Sequence, residues 1–212
     1  MIVLAGRDGE LPPFPQPTHS RPESLEVKTG FCLPWLTVRD VIGNHRYPVL
    51  EAGENREMGG RYPNHVTALT GNKVLDFIKW VPPNGGSRTD IPKEHWLECH
   101  LKHEGHKDVY GRLAWDQPAN TITSGCTNPS KGRFVHPEQH RALTFREAAA
   151  LQGFPDDFVF CGQRIAEQIG NAVPPPLAQA IAEALIKRFL VQSSPTDIHI
   201  AAEVGIAHIA GA

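Results

Sequence analysis

The stretch QIGNAVPPPLAQAI, residues 168–181, decides how the rest of the chain is read. Three consecutive prolines stand directly in front of an apolar repeat. Proline is tolerated in a first helical turn, because its missing N–H would have no intrahelical partner there. Beyond the prolines, Leu177, Ala180, Ile181, Ala184, Leu185 and Phe189 recur at helical spacing and make one apolar stripe. A buried helix with a fixed entry angle is therefore expected, with Gly170 and Asn171 as the turn that leads into it.

Working upstream, Thr144-Phe-Arg-Glu147 is a full capping box, and the helix it starts should stop at Gly153 with Pro155 just beyond. Thr37-Val-Arg-Asp40 has the same spacing, with Asp in place of Glu, and Gly43 ends that helix. Val74, Phe77, Ile78 and Val81 predict a helix over 73–81, cut off by Pro82-Pro83 and the flexible Asn84-Gly-Gly86. RLAW (112–115) and NTIT (120–123) read as short strands between turn residues. IVLAG (2–6) reads as a buried strand that opens the chain, followed by a proline-dense extended segment over 11–22. Residues 89–110 are polar and His-rich without clear period, and the tail after 192 is peripheral.

The 212 residues, 40% of them apolar, have room for one large domain or two small ones. No apolar run approaches the roughly 20 residues needed to span a bilayer, so a soluble, cytoplasmic protein with no membrane partner is expected. Cys32, Cys99, Cys126 and Cys161 are far apart and form no CxxC pair, which argues against a zinc ribbon and a disulfide framework alike. The net charge is −2, so composition alone does not announce nucleic-acid binding. Locally, Arg112, Lys131, Arg133, Arg141 and Arg146 face only Asp116 and Glu138, a basic stretch by count.

RALTFREAAALQGFPDDFVF (141–160), followed by QIGNAVPP, resembles the last two blocks of bacterial DNA cytosine-5 methyltransferases in order and spacing. VPPNGGSRTDIP (81–92), YGRLAWDQPANTIT (110–123) and GRFVHPEQHRALT (132–144) fit one bacterial subgroup. Residues 1–19 look like the strand after the family's eighth block with its proline-rich exit, so the likeness covers roughly residues 1–190. The resemblance implies an α/β fold, or α+β for an isolated fragment. Residues 1–20 would be an orphan strand and exit segment of the Rossmann-like catalytic domain. Residues 21–165 would be a target-recognition domain of mixed short strands and helices, with its hinge. Residues 166–190 would be the C-terminal helix returning to the catalytic domain, and 191–212 a tail.

The same resemblance implies site residues. Asn171, Ala172 and Val173 would sit beside the methionine portion of S-adenosylmethionine, where helix-entry amides could meet its carboxylate. Thr121 and Ile122, with Thr123, would lie on the recognition loop near the target base of double-stranded DNA. Arg112 and Arg133 would hold phosphates or read guanine. Arg146 and Gln152, within a short capped helix, have a structural role. The family's nucleophile is the cysteine of a Pro-Cys-Gln motif, and no cysteine of this chain has those neighbours. Glu54-Asn55 is followed by Arg56 in a polar turn and is not the family's Glu-Asn-Val acid. The chain thus looks like the C-terminal half of such an enzyme, beginning after its arginine block, with no catalytic residue of its own. An N-terminal half in trans would complete it.

Two rivals stand beside this reading. A non-catalytic, sequence-specific DNA-binding module derived from the same fold would bind duplex without methyl transfer. A metal-dependent nuclease would use His95, Cys99, His103 and His106, three of which share a helical face at i, i+4 spacing; Gly105 interrupts that helix, and no metal site is expected.

Overall fold

A computed structural model describes residues 3–4, 13–52, 62–68, 70–101 and 105–192, with side chains in the last helix up to 187. In chain order the elements are β1 (His19–Ser20), α1 (Leu25–Lys28), β2 (Leu33–Pro34), α2 (Val38–Ile42), α3 (Asn72–Trp80), α4 (Glu98–Leu101), α5 (Phe145–Leu151), α6 (Ile165–Asn171) and α7 (Pro175–Gln192). Three 3₁₀ turns, Arg88–Asp90, Lys93–His95 and Pro129–Lys131, interrupt the loops. Helices with few strands are consistent with an α/β class. Of the opening strand only residues 3 and 4 are described; Glu54-Asn55, His103 and the tail after 192 lie outside the described residues.

The two helix starts that carry capping boxes form where expected. Thr37 caps α2: its hydroxyl accepts from the Asp40 amide at 3.3 Å, and its own amide donates to Asp40 Oδ2 at 2.8 Å. Helix α3 ends one residue before Val81, ahead of Pro82-Pro83. Thr144 and Glu147 close the reciprocal box on α5 at 3.0 and 2.9 Å. That helix ends in the αR residue Gln152, and Gly153 follows at φ +90°, a left-handed position that suits glycine.

The expected strands over 112–115 and 120–123 are not strands. Among the described residues, ladder pairing is confined to β1 with β2, parallel, His19 opposite Leu33 and Ser20 opposite Pro34. Val135 adds single bridges to Arg112 and Ala142. The reason lies in where the backbone groups go. The Trp115 and Gln117 carbonyls accept the Arg39 and Val38 amides, so this segment serves the first turn of α2 instead of a neighbouring strand.

Contacts divide the described residues into two compact units. One holds residues up to Thr18 with those from Pro175 onwards; the other is His19–Pro174. In the first, α7 carries the predicted stripe: Leu177, Ala180, Ile181, Ala184 and Leu185 are half-buried while Ala178, Gln179, Ala182, Glu183, Ile186 and Lys187 are exposed. In the second, Val38, Leu113, Ile122, Phe134, Leu143, Ala148, Ala149 and Ile169 share one core. A smaller cluster gathers Phe77, Val81, Ile91 and Tyr110.

The basic stretch counted from sequence is not a basic surface. Arg112, Arg141 and Arg146 are each at most 1% exposed. Arg146 donates to the Pro63, Pro155 and Phe158 carbonyls. Arg141 forms a bidentate pair with Glu147, both bonds 2.7 Å, and also reaches the carbonyls of Leu50 and Ala142. Glu147 therefore closes the cap of α5 and neutralises a buried guanidinium at once. Burial alone would raise its pKa, but the charge and hydrogen bonds of Arg141 hold it down at about 2.

His136 lies 3.9 Å from Glu147, and burial pushes it down to about 4. Its Nδ1 accepts from the Glu138 and Gln139 amides, which suits a neutral ring. Both depressed values act in the same direction. The stability they contribute is complete above the unfolded values, 6.5 for histidine and 4.5 for glutamate, and is lost as pH falls through about 4 and then about 2. Urea unfolding should therefore show a decline from pH 6.5 to 4, and a slope smaller by about one proton in His136→Gln. An unchanged slope in that variant would place the titration elsewhere.

Candidate functional site

Two segments singled out from sequence meet in the larger unit. Gly170, in the last turn of α6, packs on the backbone of Thr123 and Ser124. A Cβ built on Gly170 would stand 2.1 Å from the Thr123 carbonyl carbon and 2.2 Å from the Ser124 nitrogen. Its φ is not in the left-handed region; the glycine is required by close approach alone. This corrects the expectation of a helix-entry turn: Gly170 and Asn171 end α6, and α7 begins only at Pro175. Pro174 to Pro176 have no N–H, so the first turn of α7 offers a ligand fewer amides than an ordinary helix start.

Gln152, the last residue of the α5 turn, binds the same corner from below. Its Nε2 donates to the Ile169 carbonyl at 3.3 Å and the Ala172 carbonyl at 3.0 Å. Cys126 adds a weak contact from its thiol to the Ala166 carbonyl at 4.0 Å. That thiol is fully buried, and burial pushes it up to about 11, so it stays protonated and inert at neutral pH. Around this contact Thr121, Thr123, Ser124 and Asn171 are exposed, Ala172 is half-buried, and Val173 is 60% exposed. Ile122 points inward and anchors the loop in the core at 5% exposure.

The two arginines assigned to DNA lie elsewhere. Arg112 is 0% exposed, and all five of its N–H donors have partners. Nε donates to Val81 O, Nη1 to His136 O and Gln139 O, and Nη2 to Ile78 O and His140 Nδ1, all within 3.0 Å. Nothing remains for a phosphate or a guanine edge, so the assignment of Arg112 is corrected to a structural one. Arg133 is partly exposed, but its Nη1 holds the carbonyls of Gly85, Gly86 and Arg112, and its Nε faces Asp108 at 3.3 Å. Arg133 braces the 84–86 turn.

An exposed cation beside the loop is Lys131. Its stem lies where a Cβ on Gly125 would fall, 2.7 Å from Lys131 Cβ. Charge counting named Lys131 but did not set it apart from the buried arginines. Ser124 was also missed; the signal available was Gly170, since a glycine inside a helical pattern marks close backbone approach. Gly170→Ala tests the contact. Alanine favours a helix over glycine by about 1 kcal/mol, yet here the methyl meets backbone that cannot rotate away. A net loss of about 1–3 kcal/mol is expected in urea unfolding; a gain would mean that the two segments are not in contact.

A model of the C-5 cytosine-specific DNA methylase family matches residues 36–187, most of the chain. The chain belongs to the C-5 cytosine-specific DNA methylase family. It is 42% identical over 190 residues to the type II methyltransferase M1.HphI of Haemophilus parahaemolyticus, covering 88% of this chain and 43% of that one. It is 38% identical over 201 residues to the type II methylase M.HgiDII of Herpetosiphon aurantiacus, covering 90% and 51% respectively. DNA (cytosine-5)-methyltransferase 3 of Arabidopsis thaliana is 33% identical over 224 aligned residues, which span 87% of this chain and 16% of that one. The chain thus spans about half the length of the bacterial relatives it matches.

Of the His/Cys cluster, His95, Cys99, His100 and His106 lie among the described residues. Among the described residues no three His, Cys, Asp or Glu side chains converge as metal ligands. The His95 ring instead stacks on Trp80, centroids 3.8 Å apart and planes 13° apart. Cys99 and Cys161 are free thiols at the surface. No helix among the described residues is long and apolar enough to cross a membrane.

Proposed function

We propose that this chain is the C-terminal portion of a DNA (cytosine-5)-methyltransferase. It contributes recognition of the DNA target and one edge of the S-adenosylmethionine site for methyl transfer to C5 of cytosine. The observation that carries the reading is the backbone contact of Gly170 with Thr123 and Ser124. It sets the loop assigned to the target base against the segment assigned to the cofactor. On this reading residues 21–165 form the recognition domain and hinge. Residues 1–20 and 166–190 belong with a Rossmann-like catalytic domain, whose remainder comes from an N-terminal half.

The residues present fit one side of the cofactor. Asn171 offers an exposed amide to the polar end of its methionine portion, and Val173 offers apolar surface to the chain. When bound, S-adenosylmethionine supplies the methyl group. Thr121, Thr123 and Ser124 present short hydroxyls to a base displaced from the stack, since such chemistry needs the target extruded from the duplex. Lys131 supplies the adjacent phosphate contact. The attacking thiolate must come from elsewhere, because Cys126 is buried and protonated and no cysteine here stands in a Pro-Cys-Gln motif.

Transfer of labelled methyl to duplex DNA tests the proposal, with the chain alone and with an N-terminal half added. Transfer only in the mixture is the expected result. Duplex binding without transfer in either case would favour a non-catalytic, sequence-specific DNA-binding module. Transfer by the chain alone would overturn the assignment of the nucleophile. In the active mixture, Lys131→Ala should weaken binding similarly across DNA sequences and reduce the salt slope by about one charge. An unchanged slope would remove Lys131 from the interface.

A further inference from the structure

We propose that Gln152 is a positioning residue for both halves of this site, holding the 171–173 segment directly and the 121–124 loop through Gly170. The inference rests on the functional reading above for its consequences in catalysis, but its structural part stands independently. Gln152 is half-buried, and its amide donates to the carbonyls of Ile169 and Ala172, which bracket Gly170 and Asn171. Carbonyls at the end of a helix run short of intrahelical donors; here one side-chain NH2 group donates to the C-cap carbonyl of Ala172 and adds a second bond to the Ile169 carbonyl, which also accepts the Ala172 amide at 3.3 Å. That fixes where α6 stops and at what angle the chain leaves toward Val173.

The second link follows from what Gly170 lacks. Thr123 and Ser124 lie against its Cα with no side chain between them. A shift of the α6 terminus is therefore passed to the loop as backbone displacement, with no rotamer to absorb it. On the loop side, the Cys126 amide donates to Thr123 O at 3.0 Å, and the Gly125 amide reaches Thr123 Oγ1 at 3.3 Å. Those bonds define a turn whose first residue, Thr123, is the one Gly170 presses on. Gln152 thus sets the register of the two candidate binding segments together.

Gln168 is an internal control. Its Nε2 also donates to two carbonyls, Cys161 O and Gln163 O, at 3.0 and 3.1 Å, but at the opposite end of α6. Gln152→Met and Gln168→Met therefore each remove two side-chain-to-backbone hydrogen bonds, the first pair at the C-terminal end of α6 and the second just ahead of its N-terminus. Amide hydrogen exchange on the chain alone should show Ala172 and Cys126 exchanging roughly five- to tenfold faster in Gln152→Met, and near wild type in Gln168→Met. Equal exchange in both variants, or acceleration at Ala172 without Cys126, would overturn the proposal whatever the chain's function.

The catalytic part is read in the assembled two-half enzyme. Gln152→Met should raise KM for S-adenosylmethionine and for duplex DNA, while Gln168→Met leaves both unchanged. A fall in kcat with both KM values intact would mean that Gln152 only supports folding, and would overturn its positioning role. If wild-type halves transfer no methyl, the functional reading falls, while the exchange experiment still decides whether Gln152 sets the two segments.

Discussion

Arg141→Met is expected to lower the unfolding free energy by about 3–5 kcal/mol, the range for breaking a buried ion pair by removing one partner. Both side chains are nearly sealed, at 1% and 3% exposure, and the fork-to-fork geometry uses both Glu147 oxygens. The loss comes chiefly from the carboxylate left behind, which would face the uncharged ring of His136 at 3.9 Å in place of a guanidinium. Arg141 also supplies donors to Leu50 O, Gln139 Oε1 and Ala142 O, so its own turn and the distant Leu50 segment both lose a partner. Urea unfolding at pH 7 measures the effect. The double variant Arg141→Met with Glu147→Gln should cost less than the two singles added, since no buried charge then stands alone and Gln retains capping atoms. Additive losses would show that the pair acts as two separate hydrogen-bonding groups.

Arg112→Met should be of similar size, about 3 kcal/mol or more, for a different reason. No carboxylate faces this guanidinium; it is held by four backbone carbonyls and a histidine nitrogen. Burial lowers its pKa to about 10, which leaves it charged at neutral pH. Each buried carbonyl stripped of its donor costs about 1–3 kcal/mol unless water replaces it. Ile78 O and Val81 O belong to the end of α3 and the residue after it, so the helix terminus should loosen first. Arg112→Lys should recover little of the loss, because a single ammonium cannot span five acceptors arranged for a planar fork. Near-wild-type stability in the lysine variant would show that charge alone, and not the fork, is what the site needs.

The parts of the fold written in local chemistry were legible in the sequence. Thr37 with Asp40 and Thr144 with Glu147 signal helix starts because each pair satisfies amides within four residues, and nothing distant is involved. The apolar stripe of α7 is local in the same sense. What failed was inference about groups whose partners are remote. Arg112 and Lys131 look equivalent in a charge count, yet the first is tied to residues 24 to 34 positions away and the second is exposed. The 112–115 segment has the composition of a strand, but the carbonyls of Trp115 and of Gln117 beyond it accept amides from the start of α2, far upstream. At the candidate site the two segments that the sequence singled out lie in contact, while Gly170 and Asn171, read as the entry to α7, end α6. Proline content marked where α7 begins, while the end of α6 depends on Gln152, which no local pattern announces.

The interior arginines have a consequence for how this architecture can vary. A sheet holds its strands through a continuous ladder, so an inserted residue displaces every pair beyond it. Here the loops are fastened at isolated points, each a guanidinium gripping a few carbonyls, with free chain between. Residues between fasteners can be exchanged or lengthened at small entropic cost, since closing a longer loop adds only slowly to the penalty. Such a body can change its surface while its interior stays the same.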